Sequence, residues 1–212
     1  MRLFIAIPLP SDVAASAFAA LPDLAGLRRV EPELMHLTLA FLGSTPDDRL
    51  DAVIAAVRSA ADGHAAFDIE LDHAGRFPKS GPPRVAWLGM SAGADDASAL
   101  ATAVRDALVA RLIAFDEKPF RAHVTLGRVR EKATTKEARA IATALDAVRM
   151  SPLRFTADAV HVIESHVSSK GPRYTSRAAV PLSVGGKRVG GSPGDDHRAR
   201  DDRRSVPRPP RA

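Results

Sequence analysis

The chain has 212 residues, of which 45% are hydrophobic and 26% charged, as is typical of a soluble globular protein with a substantial core. It contains no cysteine, which excludes disulfide bonds, thiolate nucleophiles and cysteine-based zinc sites. The formal net charge is +5, yet residues 186–212 hold eight Lys or Arg and only four Asp, so the rest of the chain is nearly neutral. No window approaches the roughly 20 uninterrupted apolar residues of a membrane span. We therefore expect a cytoplasmic protein with no membrane partner. We also expect a monomer, although composition does not decide the oligomeric state.

The first segment, RLFIAIPL, predicts a β-strand rather than a secretory signal. Its apolar run is short, and Pro8 and Pro10 interrupt it before the small residues begin. A helix is expected to follow, capped by the side chain of Ser11 or Asp12.

The segment HLTLAFLG, residues 36–43, predicts a strand with one unusual face. Side chains alternate along a strand, so His36 and Thr38 share one face while Leu37 and Leu39 share the other. The leucine face belongs against a core. An imidazole and a hydroxyl remain on the opposite face.

The segment HVTLGRVR repeats this arrangement 87 residues later. His123 and Thr125 again share a face, and Val124 and Leu126 lie opposite. A single strand histidine is most often a structural residue. Two copies of a His-x-Thr motif in matching apolar contexts indicate a shared function for the two histidines.

The segments around the two motifs also correspond, which indicates an internal duplication. Each motif is followed by an amphipathic helix, a strand, a Gly-Pro turn with an arginine and another strand, and a further helix bridges the two halves. The pairs are the helices at 47–63 and 134–150, the strands at 66–75 and 153–165, and the turn–strand segments at 80–90 and 170–182, with the bridging helix at 94–114.

The predicted fold class is α+β, with two pseudo-symmetric lobes. Each lobe is expected to contain a mostly antiparallel sheet backed by helices, and the two His-x-Thr strands face each other across a cleft between the lobes. This domain spans residues 1–184. Residues 185–212 are rich in Arg, Pro and Gly and are predicted to form a disordered tail.

Two imidazoles on opposite sides of a phosphorus atom suit an in-line displacement, because one accepts a proton while the other donates one. The hydroxyls of Thr38 and Thr125 are suited to donate hydrogen bonds to phosphate oxygens. Arg128 offers a planar cation for the same oxygens. Strand alternation would place Arg128 on the face opposite His123, so its participation requires a bulge or strand end near Gly127.

The segments HLTLAFLG, FRAHVTLGRVR, RFPKSGPPRVAWLG and ESHVSSKGPRYT resemble the 2H phosphoesterases, and most closely the RNA 2',3'-cyclic phosphodiesterases, also called 2'-5' RNA ligases. The resemblance extends from about residue 2 to residue 182. It implies a metal-free, cofactor-free hydrolysis of RNA or nucleoside 2',3'-cyclic phosphates to 2'-phosphomonoesters, together with a reverse 2'-5' joining of RNA ends. RNA ends such as those of tRNA fragments, or small cyclic nucleotides, would be the partners.

When the family's motif residues are matched to positions in this sequence, the resemblance implies roles for five residues. His36 and His123 are the catalytic pair, with His123 as the base for water and His36 as the acid for the departing 3'-oxygen. Thr38, Thr125 and Arg128 bind the phosphate.

Three alternatives remain open from the sequence. The substrate could be another cyclic phosphate, such as ADP-ribose 1'',2''-cyclic phosphate, or the chain could be a non-catalytic nucleotide-binding module. A metal hydrolase is a further alternative, although none of the seven histidines lies in an H-E-x-x-H pattern. Six aromatic residues are candidates for base stacking: Phe4, Phe41, Phe77, Trp87, Phe120 and Tyr174.

Overall fold

The two strands that carry the His-x-Thr motifs lie side by side in the middle of a curled sheet. The computed structural model describes residues 1–168 and 171–183, and within them the chain forms nine β-strands and four α-helices. The strands are β1 (Arg2–Pro8), β2 (Leu27–Arg29), β3 (His36–Ser44), β4 (Phe67–Phe77), β5 (Val85–Ala92), β6 (Val124–Val129), β7 (Leu153–Ala157), β8 (Ala159–Ser168) and β9 (Gly171–Pro181). The helices are α1 (Ser11–Ala19), α2 (Leu50–Ala61), α3 (Ala94–Val109) and α4 (Thr135–Ala147).

The strand order divides the sheet into two lobes. Strands β7, β4, β5 and β6 form one lobe, with β2 also paired to β6, and β3, β1, β8 and β9 form the other. The lobes meet where Leu37 of β3 pairs with Val124 of β6. Helices α1 and α4 pack on the first lobe, and α2 and α3 pack on the second. The predicted α+β architecture of two lobes is confirmed.

Each lobe contains strands from both halves of the sequence. The hairpin β4–β5 follows the first motif along the chain, yet β5 pairs with β6, which carries the second motif. Conversely, β8 and β9 follow the second motif, yet β8 pairs with β1 beside β3. Because each half of the sequence contributes strands to both lobes, neither half can complete a lobe alone. One continuous hydrophobic core runs through both lobes.

The second motif's helix α4 shows how local sequence sets the element boundaries. Thr134 and Glu137 form a capping box, in which the Thr134 hydroxyl accepts from the Glu137 backbone N–H and the Glu137 carboxylate accepts from the Thr134 backbone N–H. The helix buries Ala138, Ile141 and Leu145, as the apolar spacing predicts. None of the helices in the described part of the chain is both long and apolar enough to cross a membrane.

Two local predictions were wrong. The segment 153–165 forms two strands, because the chain breaks at Asp158 and its two parts pair with β4 and β1 in different lobes. Helix α1 begins at Ser11 with Pro10 in the cap position, so neither Ser11 nor Asp12 caps it. Alternation of apolar residues does not reveal a change of partner strand, which explains the first error. The tail predicted for residues 185–212 lies outside the described residues.

Candidate active site

The register of the two central strands brings the His-x-Thr motifs together. Leu37 and Val124, the middle residues of the motifs, are paired and buried in the core. Each motif's histidine and threonine therefore project from the opposite face, toward the cleft. Continuing the antiparallel register places His36 across from Thr125, and the other histidine and threonine face each other in the same way.

A cavity of about 620 Å³ opens over these motifs. All five predicted site residues line it: His36, Thr38, His123, Thr125 and Arg128. Four further cationic residues and one carboxylate complete its charged lining: Arg84, Arg105, Lys118, Arg121 and Asp116. The excess of cations suits an anionic substrate. Because these additional residues come from separate segments, the sequence alone did not identify them as site residues.

Both histidines are held by the same backbone contact. The Nδ1 atom of His36 lies 2.7 Å from the carbonyl oxygen of Leu34, and Nδ1 of His123 lies 2.7 Å from that of Arg121. A carbonyl only accepts, so each Nδ1 carries the hydrogen and donates it. Nε2 of each neutral ring is thereby left as a proton acceptor for the cleft.

Aromatic rings restrict the orientation of both imidazoles. The ring centroid of His36 lies 4.8 Å from that of Phe4 and 5.5 Å from that of Tyr174. The His123 ring lies 5.1 Å from Phe77 in an edge-on arrangement. Together with the Nδ1 hydrogen bonds, this packing fixes where each Nε2 lies, as acid–base catalysis requires.

Burial lowers the pKa of both histidines. The pKa of His36 falls from its ordinary 6.5 to about 4, mainly through burial, which the hydrogen bond to Leu34 partly opposes and the nearby His123 and Arg128 reinforce. Burial also lowers the pKa of His123, and Arg128 and Arg121 add to the effect. Both rings are therefore neutral in the unliganded protein at neutral pH. A bound phosphate anion would favour their protonation.

The lowered pKa of the half-buried His36 should make the stability of the protein pH-dependent. An unfolded histidine binds a proton near pH 6.5, whereas folded His36 resists protonation down to about pH 4. The free energy of unfolding that His36 contributes is therefore fully present above pH 6.5. It is lost as the pH falls from 6.5 toward 4, by about 3 kcal/mol at most. Urea unfolding between pH 7 and pH 4 should show a shallower dependence for His36→Gln than for the wild type. The surface control Arg139→Gln, on the exposed face of α4, should keep the wild-type slope, and identical slopes for both variants would contradict the prediction.

A β-bulge places Arg128 on the cleft side. The pairing of β6 with β5 skips Leu126, so that Thr125 and Gly127 face consecutive residues of β5. The extra residue shifts the alternation by one, and Arg128 returns to the face of His123. The sequence-based condition for its participation, an irregularity near Gly127, is met by the structure.

A corresponding bulge in the first motif positions an aromatic residue. The pairing of β3 with β1 skips Leu39, so that Thr38 and Ala40 face consecutive residues of β1. Phe41 follows Thr38 by three positions, as Arg128 follows the second threonine, and it lines the cleft with an exposed fraction of 42%. The motifs are thus alike in backbone geometry but differ in chemistry, with a cation at one position and an aromatic ring at the other.

The candidate stacking residues divide into two groups. Four of them line the cleft: Phe41, Phe77, Phe120 and Tyr174. Phe4 is buried beneath His36, and Trp87 packs 5.1 Å from the ring of Phe77. A base entering the cleft would therefore meet only the first group.

The described residues include no group of three or more His, Asp or Glu placed to hold a metal ion. Two of the seven histidines, His161 and His166, lie on β8. The Nδ1 atom of His161 lies 3.0 Å from the Ser176 hydroxyl, and His166 lies 3.6 Å from Glu164.

Comparison with known proteins identifies the family. The family model of the 2'-5' RNA ligase superfamily matches residues 10–168. A Thermus thermophilus protein named RNA 2',3'-cyclic phosphodiesterase is 31% identical over 189 residues, which cover 82% of this chain and 87% of the relative. A protein of the same name from Archaeoglobus fulgidus is 33% identical over 136 residues, which cover 62% of this chain and 74% of the relative.

Solved structures agree with this identification. The crystal structure of TT0787 of Thermus thermophilus superimposes with a TM-score of 0.70 at 29% identity, over 87% of this chain and 99% of that one. The structure of E. coli LigT complexed with 3'-AMP gives a TM-score of 0.68 at 26% identity, over 85% and 97% of the respective chains. The chain belongs to the 2'-5' RNA ligase superfamily.

Proposed function

We propose that this protein hydrolyses the 2',3'-cyclic phosphate at RNA ends to a 2'-phosphomonoester. The observation that carries the proposal is the pair of histidines, each with Nδ1 bound to a backbone carbonyl and each across from the other motif's threonine, in a cationic cleft. The relatives named RNA 2',3'-cyclic phosphodiesterase support the same reaction.

The reaction is a single displacement at phosphorus. One histidine accepts a proton through Nε2 from a water molecule as its oxygen bonds to phosphorus. The bond from phosphorus to the 3'-oxygen breaks, and the second histidine donates its proton to that oxygen. The products are a free 3'-hydroxyl and a 2'-phosphomonoester. If the 5'-hydroxyl of a second RNA replaces water, the same step forms a 2'-5' linkage.

Three side chains stabilise the charge that develops on the phosphoryl oxygens. The hydroxyls of Thr38 and Thr125 line the cleft, where each can donate a hydrogen bond to a phosphate oxygen. Arg128 adds a guanidinium that can form two parallel hydrogen bonds. Acid, base and oxyanion donors are thereby all supplied by side chains, and the proposed mechanism requires no metal.

Two arguments give opposite roles to the histidines. The family resemblance makes His123 the base and His36 the acid. In the unliganded cleft, however, His36 has the pKa lowered furthest, which favours it as the base. We propose the assignment from the resemblance, because a phosphate bound between the rings raises both pKa values and the order in the empty cleft need not govern the complex.

Product analysis tests the proposed activity. Incubated with an oligonucleotide ending in a 2',3'-cyclic phosphate, the protein should leave the phosphate on the 2'-hydroxyl, which chromatography against authentic 2'- and 3'-phosphates can establish. Exhaustive treatment with EDTA should leave the rate unchanged, because the proposed groups are all side chains. A 3'-phosphate product would contradict the proposed leaving group. Loss of activity that a divalent ion restores would contradict the metal-free mechanism.

A further inference from the structure

A second cavity adjoins the proposed catalytic cleft. It measures about 480 Å³, and three arginines line it: Arg2, Arg28 and Arg128. Phe41, Arg128 and Tyr174 line both cavities, so the two share a wall.

Two of the arginines are directly paired across strands. In the β2–β6 ladder, Arg28 lies opposite Arg128, so both side chains project from the same face. Like charges at opposed positions destabilise a sheet. The close approach of β2 also depends on Gly127, where an added Cβ atom would lie 3.0 Å from the carbonyl oxygen of Arg28. The fold therefore holds two cations together at a cost in stability, which a bound anion would offset.

Arg2 extends this cationic surface along β1. It shares a strand face with Phe4, which packs 4.9 Å from the ring of Tyr174. Burial raises the pKa of the Tyr174 hydroxyl, while Arg128 and Arg2 both oppose that rise, which places the two guanidiniums within electrostatic reach of one phenol.

No carboxylate in residues 1–168 and 171–183 forms a salt bridge with any of these three arginines. Glu164, which pairs with β1 at Leu3, lies 3.6 Å from Arg177 and 3.6 Å from His166. Asp47 binds the N-terminal ammonium group. The positive charge in the second cavity is thus uncompensated by the neighbouring acidic residues.

We propose that Arg2 and Arg28 bind the phosphodiester on the 5' side of the terminal nucleotide, while the terminal cyclic phosphate occupies the histidine site. This inference rests on the proposed function and specifies its substrate class: RNA ends of at least two nucleotides are preferred over cyclic mononucleotides. Arg128, which lines both cavities, lies between the two phosphates. The preference arises because a charge-assisted hydrogen bond to the second phosphate adds binding that a mononucleotide does not have.

The test compares a nucleoside 2',3'-cyclic phosphate with the dinucleotide that carries the same 3'-terminal cyclic nucleotide. The wild type should show a kcat/KM for the dinucleotide at least about tenfold higher, equivalent to about 1.4 kcal/mol. The double substitution Arg2→Gln/Arg28→Gln should remove most of this preference. The charge-matched control Arg58→Gln/Arg139→Gln, on the exposed faces of α2 and α4, should keep it.

A dinucleotide with an uncharged methylphosphonate linkage tests the same contact without any substitution in the protein. The wild type should hydrolyse it with a kcat/KM close to that of the cyclic mononucleotide. Equal kcat/KM values for the charged dinucleotide, the methylphosphonate and the mononucleotide would overturn the inference but leave the proposed function intact. A wild-type protein that hydrolyses none of them would contradict the proposed function itself.

Discussion

Replacing either His36 or His123 with alanine is expected to lower kcat for a 2',3'-cyclic phosphate by roughly 10²–10⁴-fold, the usual contribution of a positioned acid or base. Both rings are fixed by a 2.7 Å hydrogen bond to a backbone carbonyl, and both line the cleft. Each variant removes one of the two proposed proton transfers. Steady-state kinetics on folded variants, with circular dichroism to verify folding, measures the effect.

The double variant distinguishes one concerted step from two independent contributions. Groups that act in the same step are not additive, so the double loss should be smaller than the product of the single losses. The exposed histidine in His166→Ala serves as the control and should keep wild-type kcat. Near wild-type turnover by either folded single variant would refute the two-histidine mechanism.

The pH dependence of kcat/KM should be bell-shaped, because one histidine must be neutral and the other protonated. Since the pKa values of both are lowered from 6.5 in the unliganded cleft, the singly protonated pair is most populated below pH 6.5. The optimum should therefore lie on the acidic side of that value. In each alanine variant one limb should flatten. Loss of the acidic limb in His123→Ala would support His123 as the base, and loss of the alkaline limb would reverse the assignment.

Substitution of Arg128 by glutamine is expected to lower kcat/KM by roughly 10²-fold, comparable to the loss of one preorganised donor to a developing oxyanion. The bulge at Leu126 turns Arg128 to the same side of the sheet as His123 and Thr125. Arg128→Lys should restore only part of the loss, since an ammonium group does not reproduce two parallel hydrogen bonds. The control Arg139→Gln lies on the exposed face of α4 and should leave the kinetics unchanged.

A substitution at Gly127 tests whether the position of the Arg128 side chain matters for activity in addition to its charge. An alanine Cβ would lie 3.0 Å from the carbonyl oxygen of Arg28 and 3.2 Å from the Leu27 side chain, so β2 or the bulge must shift. Gly127→Ala should therefore reduce kcat/KM although every charge remains.

The Arg128 prediction has its own contradicting outcome. Wild-type kinetics in Arg128→Gln would show that the guanidinium does not contact the reacting phosphate.

Local sequence patterns were enough to predict the parts of the candidate site that depend on strand and helix geometry. Alternation along a strand is enough to place His36 with Thr38, and His123 with Thr125, on one face opposite buried leucine or valine. The helical stripe of α4 followed from spacing in the same way. The repeated succession of elements around the two motifs predicted that the motifs belong together.

The neighbours of each strand, and the sheet face on which Phe41 and Arg128 lie, could be seen only in the folded structure. The exchange of β4–β5 and β8 between lobes, and the break at Asp158, depend on pairing between segments far apart in the chain. The bulges that turn Phe41 and Arg128 into the cleft are mismatches between two strands, so they are not encoded in either strand alone. The pKa of His36 likewise follows from burial by distant residues, since desolvation depends on everything packed around the ring.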